Sequence, residues 1–190
     1  MSSVSDTSSV PETDLKTVVD GEVKEWHFHI YFHQNNTSEK LAAETLRDAV
    51  LRLRKQGAFI AVPLFRVNYG PMGPHPVGSY EIWTPAESFN SVFSYLCMNR
   101  GALSVLVHPL TRHESLLSSD HEVRNAWLGA PFPLDLSVLP VESKRTPLQY
   151  PTLEVGYSSR APGFTLKERR KLGAHVENIL KDDDQAAKAP

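Results

Sequence analysis

The stretch Trp26-His27-Phe28-His29-Ile30-Tyr31-Phe32-His33 alternates with a period of two. Trp26, Phe28, Ile30 and Phe32 fall on one side. His27, His29, Tyr31 and His33 fall on the other. This is the pattern of a strand with one face in a core. The apolar face needs cover, and the chain supplies it downstream. Asn36 with Glu39 forms a capping pair. Ala42, Leu46, Ala49, Val50 and Leu53 then recur at helical spacing, and Gly57 stops the helix. Phe59–Phe65 reads as a second strand, and Pro63 puts it at a sheet edge because proline cannot donate to a ladder. Tyr69–Pro76 is a Gly/Pro loop and Val77–Trp83 a third strand. In Thr84-Pro85-Ala86-Glu87 the pattern predicts a hydroxyl cap, proline at the first helical position and a reciprocal carboxylate. Phe89, Val92, Phe93 and Leu96 follow at i, i+3, i+4 and i+7, with Gly101 as the C-terminal cap. Ala102–His108 is a fourth strand ended by Pro109.

The resulting order, βαββαβ, predicts an α+β ferredoxin-like fold. It is an antiparallel sheet of order 4-1-3-2 with two helices on one face and the other face open. Residues 1–20 are Ser/Thr/Asp-rich and predict a disordered N-terminal tail, residues 21–140 the domain. In 141–190 a proline-spaced linker precedes a helix over Leu166–Leu180 and a disordered tail. Beyond Pro109, a short helix is expected from Asp120-His121 through Trp127. Leu134–Leu139 is expected to add a strand or to pack across the sheet.

The composition excludes several classes. A formal net charge of -2 over 190 residues leaves no electrostatic footprint for nucleic acid or an anionic membrane. No apolar run is long enough for a transmembrane helix, and residues 1–20 lack the basic start and apolar core of a secretory signal. Cys97 is the only cysteine, which suits a reducing, cytoplasmic setting. An RNA-binding sheet would carry stacking aromatics on its open face. Here that face carries histidines. An open face and a free edge would suit a homodimer.

The parity of the first strand decides the chemistry. If Phe28, Ile30 and Phe32 pack under the helices, His27 and His29 project from the open face. In the expected topology the fourth strand runs antiparallel beside the first, bringing His108 near its start. The third strand brings Glu81 close on the other side. Histidines with a carboxylate would suit non-haem Fe(II), and imidazole equally suits zinc. A structural histidine satisfied by hydrogen bonds is the competing reading. Glu81 fits either a site group or a partner that orients a histidine. His75, between Pro74 and Pro76, is preset at a pocket mouth or belongs to a rigid turn. His121 is an acid-base group or part of a helix start capped by Asp120. Arg100 grips a substrate carboxylate or supports the helix C-terminus. Tyr31 lies on the same face.

Several stretches bear together on family. They are Trp26–Phe32, Gly73-Pro74-His75-Pro76, Ser79-Tyr80-Glu81-Ile82, Asn99–Pro109, Asp120-His121, Trp127-Leu128-Gly129 and Leu134–Ser137. In this order they resemble the DOPA 4,5-dioxygenase-like family, over residues 24–140. The resemblance implies an extradiol ring-cleaving dioxygenase. Such an enzyme opens a catechol such as DOPA with O2 at non-haem Fe(II), giving seco-DOPA products that lead to betalain-type pigments. Two or three of His27, His29 and His108 would hold the metal. His75 or His121 would move protons, and Tyr31 would hydrogen-bond a phenolic oxygen or line the pocket. Arg100 and Glu81 are the substrate candidates. The alternative is a metal-binding module of the same family without dioxygenase activity. Neither the loop with Arg112, His113 and Glu114 nor the extension after Pro140 belongs to this motif set.

Overall fold

A computed structural model describes residues 10–112, 120–140, 146 and 148–189. In chain order the elements are α1 (Leu15–Asp20), β1 (Glu25–Phe32), α2 (Thr37–Lys55), β2 (Val62–Pro63) and β3 (Gly78–Pro85). They continue with α3 (Ala86–Asn99), β4 (Ser104–Pro109), β5 (Ala126–Leu128) and α4 (Leu166–Leu180), with short 3-10 turns between β5 and α4. They fall into two compact units. One is Val23–Arg160, and the other combines the residues up to Glu22 with those from Ala161 onward.

In the larger unit the sheet has the order β2-β3-β1-β4-β5 and is antiparallel throughout. The first four strands keep the ferredoxin-like order, with β1 in the middle. Phe28, Ile30 and Phe32 are fully buried with Ala43, Leu46 and Val50 of α2 and Val92 and Leu96 of α3. Both helices therefore cover the face that the alternation of β1 marks as apolar. Tyr80 and Ile82 of β3 and Val105 and Val107 of β4 join the same core. Full burial of one such side chain contributes roughly 1.5–3 kcal/mol.

α2 begins as expected. Oδ1 of Asn36 accepts from the backbone N–H groups of Ser38 and Glu39 at 3.1 and 3.3 Å. Gly57, at φ +84°, takes the left-handed conformation just past its end.

Three local expectations need correction. The second strand shrinks to Val62–Pro63, at the predicted edge, where the ladder with β3 spans two residue pairs. Thr84 does not cap α3. β3 runs on through Pro85, and the Ala86 N–H donates to Lys24 O at 2.9 Å, so the ladder passes straight into the helix. Thr84 is thereby one residue too early, and its buried hydroxyl has no partner among the described residues. The segment from Asp120 through Trp127 is a turn followed by strand β5, not a helix. Asp120 accepts from the Thr111 N–H at 2.7 Å and the Thr111 hydroxyl at 2.9 Å, which spends its carboxylate across the loop instead of on a helix start. Of the two alternatives for Leu134–Leu139 the strand does not form, since Leu136–Val138 is a 3-10 turn, and Leu139 instead lies over the open face with His27, His29 and His108.

The segment read as linker carries structure too. Glu25, buried at the start of β1, accepts from Trp83 Nε1 at 2.9 Å and from the Tyr157 N–H at 3.0 Å. Glu87 takes the Gly156 N–H at 3.2 Å, and the Tyr157 hydroxyl donates to Leu110 O at 3.0 Å. Gly156 sits at φ +63°, where a Cβ would lie 2.6 Å from Glu25 Cγ. Only glycine passes there. Residues 148–160 are thus tied to the sheet. Residues 1–9, 113–119, 141–145, 147 and 190 lie outside the described ones, including His113 and Glu114 and part of each predicted tail and linker.

In the smaller unit, Asp14 caps α1 through the Thr17 N–H at 2.8 Å, so order begins before Asp20. α4 spans the predicted Leu166–Leu180, opened by a reciprocal Thr165–Glu168 box. Arg169 pairs with Glu22 at 2.8 Å. No helix among the described residues is long and apolar enough to cross a membrane.

Replacing Phe28 by Ala should cost about 3–5 kcal/mol, the range for emptying a packed aromatic site. Urea unfolding should show the midpoint fall with an unchanged slope. A loss under about 1 kcal/mol would mean that the core does not close on β1.

Candidate metal centre

The open face of the sheet is where register brings the histidines together. His27 stands opposite His108 on β4, and His29 opposite Glu81 on β3. Directly opposed residues share a face. His27, His29 and His108 are 6%, 4% and 1% exposed, and each offers a ligand atom within 4.8 Å of the others. Nε2 of His29 and Nε2 of His108 are 3.0 Å apart. Two nitrogens roughly 2.1 Å from one first-row ion, at right angles, stand about 3.0 Å from each other. The donor set therefore fits a metal of that class.

Neighbouring groups orient these rings. A carbonyl can only accept, so Nδ1–H of His108 donates to Pro109 O at 2.8 Å and leaves the Nε2 lone pair facing His29. Nε2 of His27 lies 3.3 Å from Gln149 Oε1 and 3.5 Å from Glu81 Oε1. Both are acceptors, so this nitrogen carries the proton. The Gln149 amide closes the triangle, its Nε2 donating to Glu81 Oε1 at 2.9 Å.

The remaining predicted residues divide. His75 and His121 join the cluster, with ring centroids 4.4 Å from His29 and 3.9 Å from His108 respectively. Tyr31 shares a 2.6 Å hydrogen bond with His75 Nδ1 and stacks on Phe132 at 5.3 Å. Trp127 stands 5.2 Å from Tyr31. Glu81 reaches the site as a partner of His27. Arg100 does not reach it. Its guanidinium donates to Leu103 O at 2.6 Å and Gly101 O at 3.3 Å, completing the turn after α3, so its assignment to substrate is corrected. His33 pairs with Glu39 in solvent, away from the cluster.

A cavity of about 280 Å³ opens over the histidines, with Pro74, Leu110, Leu139 and Gln149 in its walls. Sequence reasoning did not find Gln149, which is 122 positions from the histidine it contacts and sits in no motif. Phe132 was equally invisible, since a loop residue's partner is fixed only by tertiary folding, whereas Leu139 ends the segment expected to add a strand or pack across the sheet.

Burial sets the charge of the cluster. Desolvation holds His29 and His108 well below the ordinary imidazole value, with His75 the next cause for His29 and His121 for His108. His75 is lowered to about 4, first by burial and then by His121 and His27. Burial also pushes the Tyr31 phenol up, so it stays protonated. At neutral pH these three imidazoles are uncharged, the state in which they offer lone pairs to a cation.

Fold and site together define a small α+β protein with a buried, cation-ready histidine cluster on the open face of its sheet. A family model described as "Dopa 4,5-dioxygenase family" matches residues 26–138. A "DOPA 4,5-dioxygenase" of Amanita muscaria is 67% identical over 183 residues, 96% of this chain and 79% of the relative. A 21.2 kDa protein of Botryotinia fuckeliana, described as uncharacterized, is 39% identical over 117 residues, 58% of this chain and 61% of its own. A solved structure from Nostoc punctiforme, described as a candidate dioxygenase, is 27% identical with a TM-score of 0.49, covering 61% of this chain and 90% of that one. The chain belongs to the Dopa 4,5-dioxygenase family. It is accordingly an oxidoreductase of the dioxygenase class.

Replacing Gln149 by Leu should lower metal affinity by roughly 10–100-fold, the usual cost of losing a group that orients a ligand. Titration of metal-stripped protein with Zn(II) reads this directly. A rise in affinity would show that Gln149 competes with the metal for His27 Nε2.

Acid should destabilise the metal-stripped protein. The unfolded chain protonates His75 as pH falls below 6.5, whereas the fold holds it neutral to about 4. Between those values the unfolded state carries the extra proton, so stability falls with pH by about 1.4 kcal/mol per unit from this group. Urea unfolding from pH 6.5 to 5 should show a shallower pH slope in His75→Gln. An unchanged slope would show that His75 titrates alike in both states.

Proposed function

We propose that this protein opens a catechol ring with O2, outside the two hydroxyls, at a non-haem iron held by His27, His29 and His108. DOPA is the substrate we assign, and a seco-DOPA the product. The observation that carries the reading is the convergence of three buried imidazoles, two of them 3.0 Å apart, at the floor of a cavity. The substrate comes from the Amanita muscaria relative, whose name specifies DOPA.

Bound Fe(II) would supply redox chemistry toward O2 and a template that chelates the two catechol oxygens. The chain's own groups do the rest. His108 is locked by Pro109 with Nε2 inward, so it enters as a ligand and not as a proton carrier. Tyr31, protonated and 2.6 Å from His75 Nδ1, donates to that nitrogen and leaves His75 with its proton on Nε2. His75 then presents its Nε2–H as a hydrogen-bond donor to an oxygen of the reacting ring, with Tyr31 fixing the tautomer. His121, against His108, is the candidate for proton removal from the catechol. Tyr31, Trp127 and Phe132 form an aromatic wall beside His75. Pro74, Leu110 and Leu139 give the cavity an apolar lining suited to a flat ring.

Protein reconstituted anaerobically with Fe(II) should consume O2 with DOPA and yield a yellow ring-opened product. His108→Ala should lose both iron and turnover. His75→Ala or His121→Ala should keep iron yet slow turnover by roughly 10²–10⁴-fold. Iron-loaded wild type inactive on a broad catechol panel would leave a metal-binding protein without dioxygenase activity. Unchanged iron and rate in His108→Ala would remove that residue from the centre.

A further inference from the structure

A second cavity of about 150 Å³ adjoins the first and shares His29, Pro74, His75 and Glu81 with it. Its far side is formed by Leu64, Arg66, Asn68 and Met72. Arg66 is the only lysine or arginine on the wall of either cavity among the described residues. Among the described residues it makes no ion pair, and its one described contact is the neighbouring Phe65 ring, 6.0 Å away. The backbone on both sides of it is fixed. Arg47 donates to Leu64 O at 2.7 Å and Phe65 O at 3.3 Å, and Asn68 exchanges two backbone bonds with Ser79 at 2.8 and 2.9 Å. A guanidinium without a carboxylate is thus held on an anchored segment at the mouth of a side chamber.

Glu81 supplies the opposite charge on the wall shared by both cavities. Its described hydrogen bond, from Gln149, and its approach to His27 both use Oε1, leaving Oε2 without a protein partner among the described residues. One exposed cation on an anchored segment and one carboxylate edge thus border a chamber next to a ring-sized cavity. That pairing complements a zwitterion attached to a ring.

We propose that the smaller cavity is the subsite for an amino-acid side arm on the catechol, with Arg66 taking its carboxylate and Glu81 its ammonium group. The proposal rests on the catechol reading above. It moves carboxylate recognition from Arg100, whose Nη1 is engaged by the turn after α3 and which lines neither cavity, to Arg66. The planar fork of arginine suits a carboxylate bound through both oxygens. The larger cavity then holds the ring over His27, His29 and His108.

Anaerobic binding to Fe(II)-loaded full-length protein tests this with four probes. L-DOPA carries both charges, 3-(3,4-dihydroxyphenyl)propanoate only the carboxylate, dopamine only the ammonium, and 4-methylcatechol neither. Wild type should bind the first two more tightly than their counterparts without the carboxylate. Arg66→Gln should erase that preference, a relative loss of roughly 10- to 100-fold, and Arg66→Lys should restore part of it. Dopamine should outbind 4-methylcatechol, and equality of the two would remove Glu81 from the subsite. Equal weakening of all four probes by Arg66→Gln, or no carboxylate preference in wild type, would overturn the role of Arg66. Admitting O2 separates the two readings. Carboxylate preference without ring opening sinks the dioxygenase assignment and keeps the subsite, whereas ring opening without preference does the reverse.

Discussion

Everything in the larger unit hangs on the parity of β1. This strand is central, paired along its length with β3 and along most of it with β4. Its even-numbered residues must face the helices and its odd-numbered ones must not. A slip of one position would put three imidazole-bearing or phenolic side chains into the core and expel Phe28, Ile30 and Phe32. Burying unpaired polar groups costs several kcal/mol apiece, and exposing the aromatic and aliphatic face forfeits the main driving force of the fold. The core thus enforces the register, and the register assembles the site. His27 meets His108 because Phe28 meets Val107 in the next rung.

The same logic explains what could be read from the residues alone. The strand order, the open face and the nearness of His108 to His27 and His29 all follow from periodicity plus one topological rule. Pro63 marked its edge because a missing N–H is a local property. Other features have no local signature. β5 is three residues long, too short for alternation to show, yet it covers the outer edge of β4 and brings Trp127 to Tyr31. Thr84-Pro85-Ala86-Glu87 carries every mark of a helix start, but the ladder to β1 overrode it and Glu87 went to Gly156 instead. Arg100 and Arg66 are indistinguishable as residue types. Only the tertiary fold, which engages Nη1 of Arg100 in the turn after α3 and sets Arg66 on a cavity wall, tells them apart.

The centre also shows how burial prepares a cluster of bases for a cation. Five histidines stand together in the larger cavity. In water such a group would partly protonate near neutral pH and repel itself. Desolvation and mutual proximity instead keep His29, His75 and His108 neutral. Backbone and side-chain acceptors then settle which nitrogen of His108 and His27 keeps its proton. The fold stores the cost of this dry, lone-pair-rich pocket in its stability, and a bound cation would return it as affinity.

The tie between Glu25, Glu87 and the Gly156-Tyr157 corner has an implication for how far the working unit extends. The family match stops at residue 138, whereas Gln149 touches His27 and Tyr157 is fastened to the first residue of β1. A polypeptide cut to the limits of the shared motif would keep all three imidazoles of the triad and lose a wall of their chamber. Residues past the family match thus form part of the wall over the histidines. A chain that kept these histidines and changed the segment around Gln149 and Tyr157 would keep the same donor set beneath a differently shaped cavity.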